Sequence, residues 1–229
     1  ERELLFGNVA QRQNEYAPHL IQAQALQFIR DNKDKPFFLY LHFVEPHVAM
    51  QPPQEWIDKY PQEWDDEHGA YRGQNGYLPH PRPRAAYAAM ISDLDEHVGT
   101  VLEHLEKHGL SENTVVVFTS DNGPTHGGKD PNFHIGGAAC SFFDSNDGLK
   151  GYKGSCYEGG IRIPCIVRWP GNIEAASETS LPSYFPDWFP TLCKLAGAEL
   201  PGGTLDGIDL VGAMTNGELP DRTAPMIWD

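Results

Sequence analysis

The sequence predicts an α/β domain built on a mainly parallel sheet flanked by helices. The short, nearly continuous apolar run at 36–44 and the run at 114–119 read as buried strands, and 163–168 reads as another strand. Segments of helical periodicity at 17–30, 84–108 and 187–195 alternate with them. That alternation is the pattern of helices laid over a parallel sheet.

Each element has its own signal. In 17–30, Pro18 suits a first helical turn and Ile21, Ala25, Phe28 and Ile29 recur at helical spacing. The polar turn 31–35 leads into the run Pro36 to Val44. Residues 45–83 show little periodicity and carry seven prolines with Trp56, Tyr60, Trp64, Tyr71 and Tyr77. A loop of that length inside a domain points to function, and short helical turns fit within it. Its aromatic residues suit two roles equally, stacking on sugar rings or pinning the loop to the core.

The helix 84–108 shows the clearest stripe: Tyr87, Met90, Ile91, Leu94, Val98, Val101, Leu102 and Leu105. Gly109-Leu110 predicts a Schellman stop. His97, His104 and His108 lie on this helix and are read as solvated. Thr114 to Thr119 is the next strand, and 121–150 is loop, rich in Gly, Asn and Asp. The strand 163–168 closes at Trp169-Pro170-Gly171, the helix 187–195 stops at Gly197, and 209–214 suits a short helix.

The 229 residues suffice for one sizeable domain. Seventeen Lys and Arg face 32 Asp and Glu, a net charge of −15. Proteins that grip nucleic acid show the opposite balance, which sets that class of partner aside. No run approaches the ~20 apolar residues of a membrane span. Gly (23) and Pro (19) exceed their usual share and indicate long, shaped loops. Four cysteines without a C-x-x-C pair make neither a disulfide scaffold nor a zinc knuckle. Both ends, at Glu1 and at Pro225-Met226-Ile227-Trp228-Asp229, read as cut from a longer protein.

Ligands in open α/β sheets bind beyond the carboxyl ends of the strands. The run ending at Val44 leads into Glu45-Pro46-His47, and the strand ending at Thr119 leads into Ser120-Asp121-Asn122-Gly123. Asp121 and Asn122 offer hard oxygen donors suited to Ca²⁺ or Mg²⁺. On the local signal alone an ordinary Asx turn is the stronger reading. His47 is a candidate general acid or anion donor, against the plainer role of a surface histidine. Residues 149–164 hold four glycines in ten positions with Lys150 and Lys153 among them. A lysine on such a loop meets an anion as a point charge, although the order is not that of a P-loop. The plainer alternative is a mobile loop with solvated lysines.

Taken in order, these segments resemble the type I sulfatases, the arylsulfatase-like branch of the alkaline phosphatase superfamily. The resemblance rests on Pro36 to Leu41 with Pro46-His47, the helix around Asp93 and Asp95, Val116 to Gly123, Leu149 to Pro164, Arg168 to Gly171, Asp187 to Leu192 and Asp206 to Asp209. It implies an alkaline-phosphatase-like fold, present in part. It implies that Asp121 and Asn122 are two ligands of one divalent cation, normally Ca²⁺. It also implies that Lys153 holds the sulfate group and that His47 contacts the sulfate and protonates the leaving oxygen. Lys150 and His126 are further substrate-side candidates, and Glu158 and Arg162 are read as a buried structural pair.

The family's nucleophile is a formylglycine made from Cys or Ser in a Cys/Ser-x-Pro-x-Arg motif. No such motif occurs in these 229 residues, so the nucleophile, like the remaining metal-site aspartates, is expected upstream of Glu1. On this reading residues 1–215 are part of the catalytic α/β domain and 216–229 start a smaller C-terminal subdomain. The implied activity is hydrolysis of a sulfate ester, on a sulfated carbohydrate or an aryl sulfate, in the periplasm, outside the cell or in the lysosome. Two alternatives remain. One is a phosphate-ester hydrolase of the same superfamily, with two transition metals and His126 and His134 recruited. The other is a non-catalytic relative that binds sulfated glycans.

Overall fold

The computed structural model describes residues 15–73, 76–125 and 136–228. The elements in order are α1 (Ala17–Asn32), α2 (Gln54–Ile57), α3 (Glu63–Asp66), α4 (Pro83–Lys107), β1 (Val116–Thr119), α5 (Cys140–Phe143), α6 (Glu158–Ile161), β2 (Cys165–Arg168), α7 (Phe185–Ala196) and α8 (Val211–Thr215). The chain divides into two compact units, one made of 1–111 and 119–164, the other of 112–118 and 165–229.

In the first unit α1, α2 and α3 pack on the long helix α4. Ala85, Ala86, Ala88 and Ala89 let its first turns approach their neighbours closely. Met50, Ala86 and Met90 form one buried cluster, and Ile57, Ala85 and Ala89 form a second, with Trp56 and Tyr60 against it. The buried face of α4 therefore differs from the predicted stripe: Ile91 is exposed, while Asp93 and His97 are buried. Hydropathy periodicity undervalues alanine and places charged residues outside, so it rotated the face. The end of the helix is as predicted. Gly109 takes φ +69°, its N–H reaches Glu106 O at 2.9 Å, and Leu110 N–H reaches Leu105 O at 2.9 Å.

The aromatic residues of the long loop mostly pin it to the core. Trp64 lies 5.3 Å from Tyr60 and 5.5 Å from both Phe142 and Phe143, ring to ring, and Tyr71 is buried. Asp65, also buried, accepts from the backbone N–H groups of Arg84 (2.9 Å) and Ala85 (3.2 Å), so a carboxylate from α3 caps the positive end of α4.

Tyr71 and His80 close the intervening segment with a pair of backbone hydrogen bonds of 2.9 and 3.0 Å. His80 Nδ1 accepts the Arg82 N–H at 3.0 Å, and burial holds this imidazole below its ordinary pKa. The unfolded chain therefore takes up the proton first. The His80 contribution is complete above the unfolded value of about 6.5 and is lost as pH falls through the lowered folded value. Thermal stability is expected to drop on acidification below about pH 6.5, and His80→Gln is expected to flatten that slope in melts recorded across pH.

The strands depart from expectation. β1 and β2 pair with each other, and they form the only ladder among the described residues. β1 was expected to be buried, yet it is half-buried, and Ile166 of β2 is 61% exposed. Residues 36–44 alternate in exposure at every position, the period of an extended chain, but are not a paired strand among the described residues. Phe37 packs on Phe28 and Phe43 stacks on His97, while Phe38, Tyr40 and Val44 face outward. A ladder and two-sided burial both require neighbouring strands, and the described residues supply one pairing.

The second unit centres on Asp187, fully buried at the start of α7. Its carboxylate accepts from the backbone N–H groups of Tyr184 and Ile208, both at 2.9 Å, and from Arg222 Nη2 at 2.6 Å. Thr191, one turn on, donates to Asp187 O at 2.6 Å and accepts the Leu210 N–H at 2.9 Å. Gly197 takes φ +65° and ends the helix where the sequence predicts.

Candidate active site

Two segments predicted to carry the chemistry, the turn 121–124 and the glycine-rich loop 149–164, are sewn together by the backbone. Gly123 N–H donates to Gly160 O at 2.9 Å, and Lys153 N–H donates to Pro124 O at 2.8 Å. No side chain fits between them: a Cβ at Gly123 would run into Gly159 O, and one at Gly159 into Gly151 O. The loop folds onto itself through Gly159 N–H to Lys150 O at 2.8 Å and Ser155 Oγ–H to Tyr152 O at 2.9 Å. The glycine density thus serves close backbone approach, not mobility.

Asp121 directly follows the Thr119-Ser120 end of β1, and the turn is tightened by Ser120 Oγ–H to Asn122 O at 2.9 Å. Among the described residues the Asp121 and Asn122 side chains have no hydrogen-bond or ion-pair partner, and Asp121 is exposed. Their oxygens are free to coordinate, which fits a hard divalent cation. An Asx turn, the stronger local reading, would have engaged the Asp121 carboxylate with the backbone two residues on, and no such bond is present among the described residues.

The two lysines differ. Lys150 Nζ sits 3.8 Å from the centre of the Tyr157 ring, a cation–π contact that occupies its charge. Lys153, half-buried, has no ion-pair partner among the described residues. His47 is exposed, and its Nδ1 donates to Val48 O at 2.7 Å, which turns Nε2 outward. Its ring lies 6.1 Å from that of Tyr77. Among the described residues no hydrogen bond, ion pair or ring contact joins His47 to Asp121, Asn122 or Lys153. His126 and His134 lie outside the described residues.

Two readings are corrected. Glu158 and Arg162 do pair, at 3.8 Å, but both side chains are mostly exposed, at 62% and 70%, because one turn of α6 carries them outward. His97, taken as solvated, is 3% exposed, and His104 and His108 are half-buried with rings 4.6 Å apart. Sequence reasoning also left Glu45, Tyr16 and His19 out of any site. Tyr16 donates its hydroxyl to Glu45 Oε1 at 2.8 Å, and burial pushes the Glu45 carboxyl up to about 7. Burial likewise lowers His97. The i,i+4 spacing of Asp93 and His97 was the available signal for this cluster.

The family model described as Sulfatase matches residues 5–198. This chain belongs to the sulfatase family. It is 35% identical over 206 residues to the steryl-sulfatase of Mus musculus, covering 89% of this chain and 28% of that relative. Human arylsulfatase A is 33% identical over 196 residues, covering 83% of this chain and 32% of that one. A crystal structure of Ps i-CgsB in complex with k-i-k-neocarrahexaose superposes with a TM-score of 0.65 at 30% identity, covering 87% of this chain and 38% of that chain. The sulfatase chain thus spans about a third of the length of these relatives and has part of their alkaline-phosphatase-like fold. No helix among its described residues is long and apolar enough to cross a membrane.

Proposed function

We propose that this chain supplies the sulfate-holding half of a sulfatase active site, in a protein that hydrolyses a sulfate ester to an alcohol and inorganic sulfate. The observation that carries this is the stitched pair of loops. Backbone bonds from Gly123 and Lys153 join the turn that carries Asp121 and Asn122 to the loop that carries Lys153, within a chain of the sulfatase family.

Asp121 and Asn122 are the residues that would hold the cation, Ca²⁺ by the hardness of their donors. When bound, that cation draws electron density from the sulfate oxygens. Lys153 adds a fixed positive charge to the same anionic group. His47, with Nδ1 held on Val48 O, presents Nε2 as the proton donor to the departing alkoxide. Lys150, steadied on Tyr157, contributes field more than contact. A formylglycine nucleophile is taken to come from outside these 229 residues, upstream of Glu1. Residues 1–215 then belong to the catalytic domain and 216–229 begin the smaller subdomain.

A sulfated carbohydrate is the proposed substrate class. Ps i-CgsB, 30% identical, is seen with a carbohydrate, and Tyr77 stands half-exposed beside His47, where a sugar ring could stack. Export to the periplasm, the cell exterior or the lysosome accompanies this proposal.

The test is calcium linkage. Ca²⁺ is expected to raise the melting temperature of the full-length protein, since a ligand that binds only the folded state stabilises it. Asp121→Ala is expected to weaken apparent Ca²⁺ affinity at least about 10-fold with the fold retained. A calcium response identical in the variant and the parent would remove Asp121 from the site.

A further inference from the structure

The first unit buries a second set of metal-ligating side chains, on elements other than the turn and loop of the proposed sulfate site. His97 on α4, one turn beyond Asp93, points Nε2 at Asp93 Oδ2 from 3.6 Å. His19, on the first turn of α1, points its own Nε2 at the same oxygen from 3.5 Å. Glu45, after the extended run 36–44, places Oε2 4.0 Å from His97 Nε2. The ligand atoms of His19, Asp93 and His97 all lie within 4.8 Å of one another.

These separations are too long for hydrogen bonds. The two His–Asp separations, 3.5 and 3.6 Å, are close to the edge of a tetrahedron, about 3.3 Å, that follows from ligand distances near 2.0–2.1 Å around one small cation. The burial makes the arrangement costly without a partner: side-chain exposure is 3% for Asp93, 3% for His97 and 0% for Glu45. Yet Asp93 Oδ2, Glu45 Oε2 and both ring nitrogens of His97 have no hydrogen-bond partner. Unsatisfied buried polar atoms are expensive, and here four of them sit in one cluster.

The surroundings orient the donors. Tyr16 holds Glu45 Oε1 at 2.8 Å and leaves Oε2 to face the cluster. Phe43 stacks on the His97 ring with centroids 5.2 Å apart, and the His19 and His97 rings meet edge to face at 5.3 Å. His19 is 47% exposed, which leaves an entry path from solvent.

We propose that His19, Asp93 and His97 bind one Zn²⁺, with the Glu45 carboxylate drawn in from 4.0 Å as the fourth ligand, in a structural site that ties α1 and the segment after 36–44 to α4. Two neutral imidazoles and two carboxylates balance a divalent charge. Imidazole donors select zinc over calcium, and four protein ligands close the shell as structural zinc sites do.

The experiment uses the purified full-length protein in buffer with excess Ca²⁺, so that sites of oxygen donors are filled. Zinc is measured after dialysis, and Co²⁺ is substituted for it. The expected result is zinc in a single equivalent per chain and an intense visible Co²⁺ spectrum of tetrahedral type. His19→Ala, at a half-exposed position, is expected to lower zinc affinity more than about 10-fold while circular dichroism stays unchanged. Glu45→Gln, matched in volume, serves as the second variant, with a smaller loss expected in the same assay. Absence of stoichiometric zinc, an octahedral Co²⁺ spectrum, or zinc held equally by the parent and both variants would overturn the assignment.

Discussion

Lys153→Ala is expected to lower sulfate-ester turnover by the full-length protein by two or more orders of magnitude. The backbone of Lys153 is fixed, its N–H bonded to Pro124 O at 2.8 Å, so the root of its side chain is tied to the residue that follows the Asp121-Asn122-Gly123 turn. A preorganised charge of this kind, aimed at developing negative charge, is worth about 10²–10³ in rate. The neighbouring Lys150 is a built-in control. Its charge is engaged with the Tyr157 ring at 3.8 Å, and Lys150→Ala is expected to cost far less. Steady-state kinetics on one sulfated substrate separates the two. Equal losses would mean that the loop carries a diffuse positive field and that Lys153 has no specific contact.

Asp187→Ala is expected to be the most damaging single change to stability. The variant loses a carboxylate that is fully buried and accepts three hydrogen bonds, and it strands the Tyr184 and Ile208 N–H groups and the Arg222 guanidinium. Breaking a buried pair from one side costs about 3–5 kcal/mol. Asp187→Asn, which keeps an acceptor but not the charge, is expected to fall between the parent and Asp187→Ala. Arg222→Ala is expected to be milder still, since two backbone donors continue to serve the carboxylate. Denaturant titration followed by tryptophan fluorescence reads this unit through Trp169, Trp188 and Trp228. A cost for Asp187→Ala below about 1 kcal/mol would contradict the central place given to this residue.

What the sequence made legible divides along physical lines. Helix ends were readable because they depend on local backbone chemistry: Gly109 and Gly197 stop their helices through left-handed φ values of 69° and 65°. The pairing of Asp121-Asn122 with Lys153 is expected only through the ordered resemblance, since neither the turn nor the loop signals the other locally. The backbone bonds at Gly123 and Lys153 join the two segments that carry these residues. The cluster of His19, Glu45, Asp93 and His97 went unread because its members are spread over three segments and because a histidine on a helix defaults to the outside. The strands were over-read for the opposite reason. Apolar content alone predicted burial for 36–44 and 114–119, whereas burial of a strand is conferred by neighbouring strands, and the described residues supply one pairing.

The most direct test is hydrolysis measured on matched sulfate and phosphate esters of one alcohol, with the full-length protein dialysed free of Ca²⁺, its zinc retained, and then given Ca²⁺. The proposal predicts release of inorganic sulfate restored by Ca²⁺, little release of phosphate, and loss of the Ca²⁺ effect in Asp121→Ala. Preferential phosphate release that requires two equivalents of zinc or manganese would contradict it, and would place Asp121 and Asn122 in a two-metal phosphate-ester site instead.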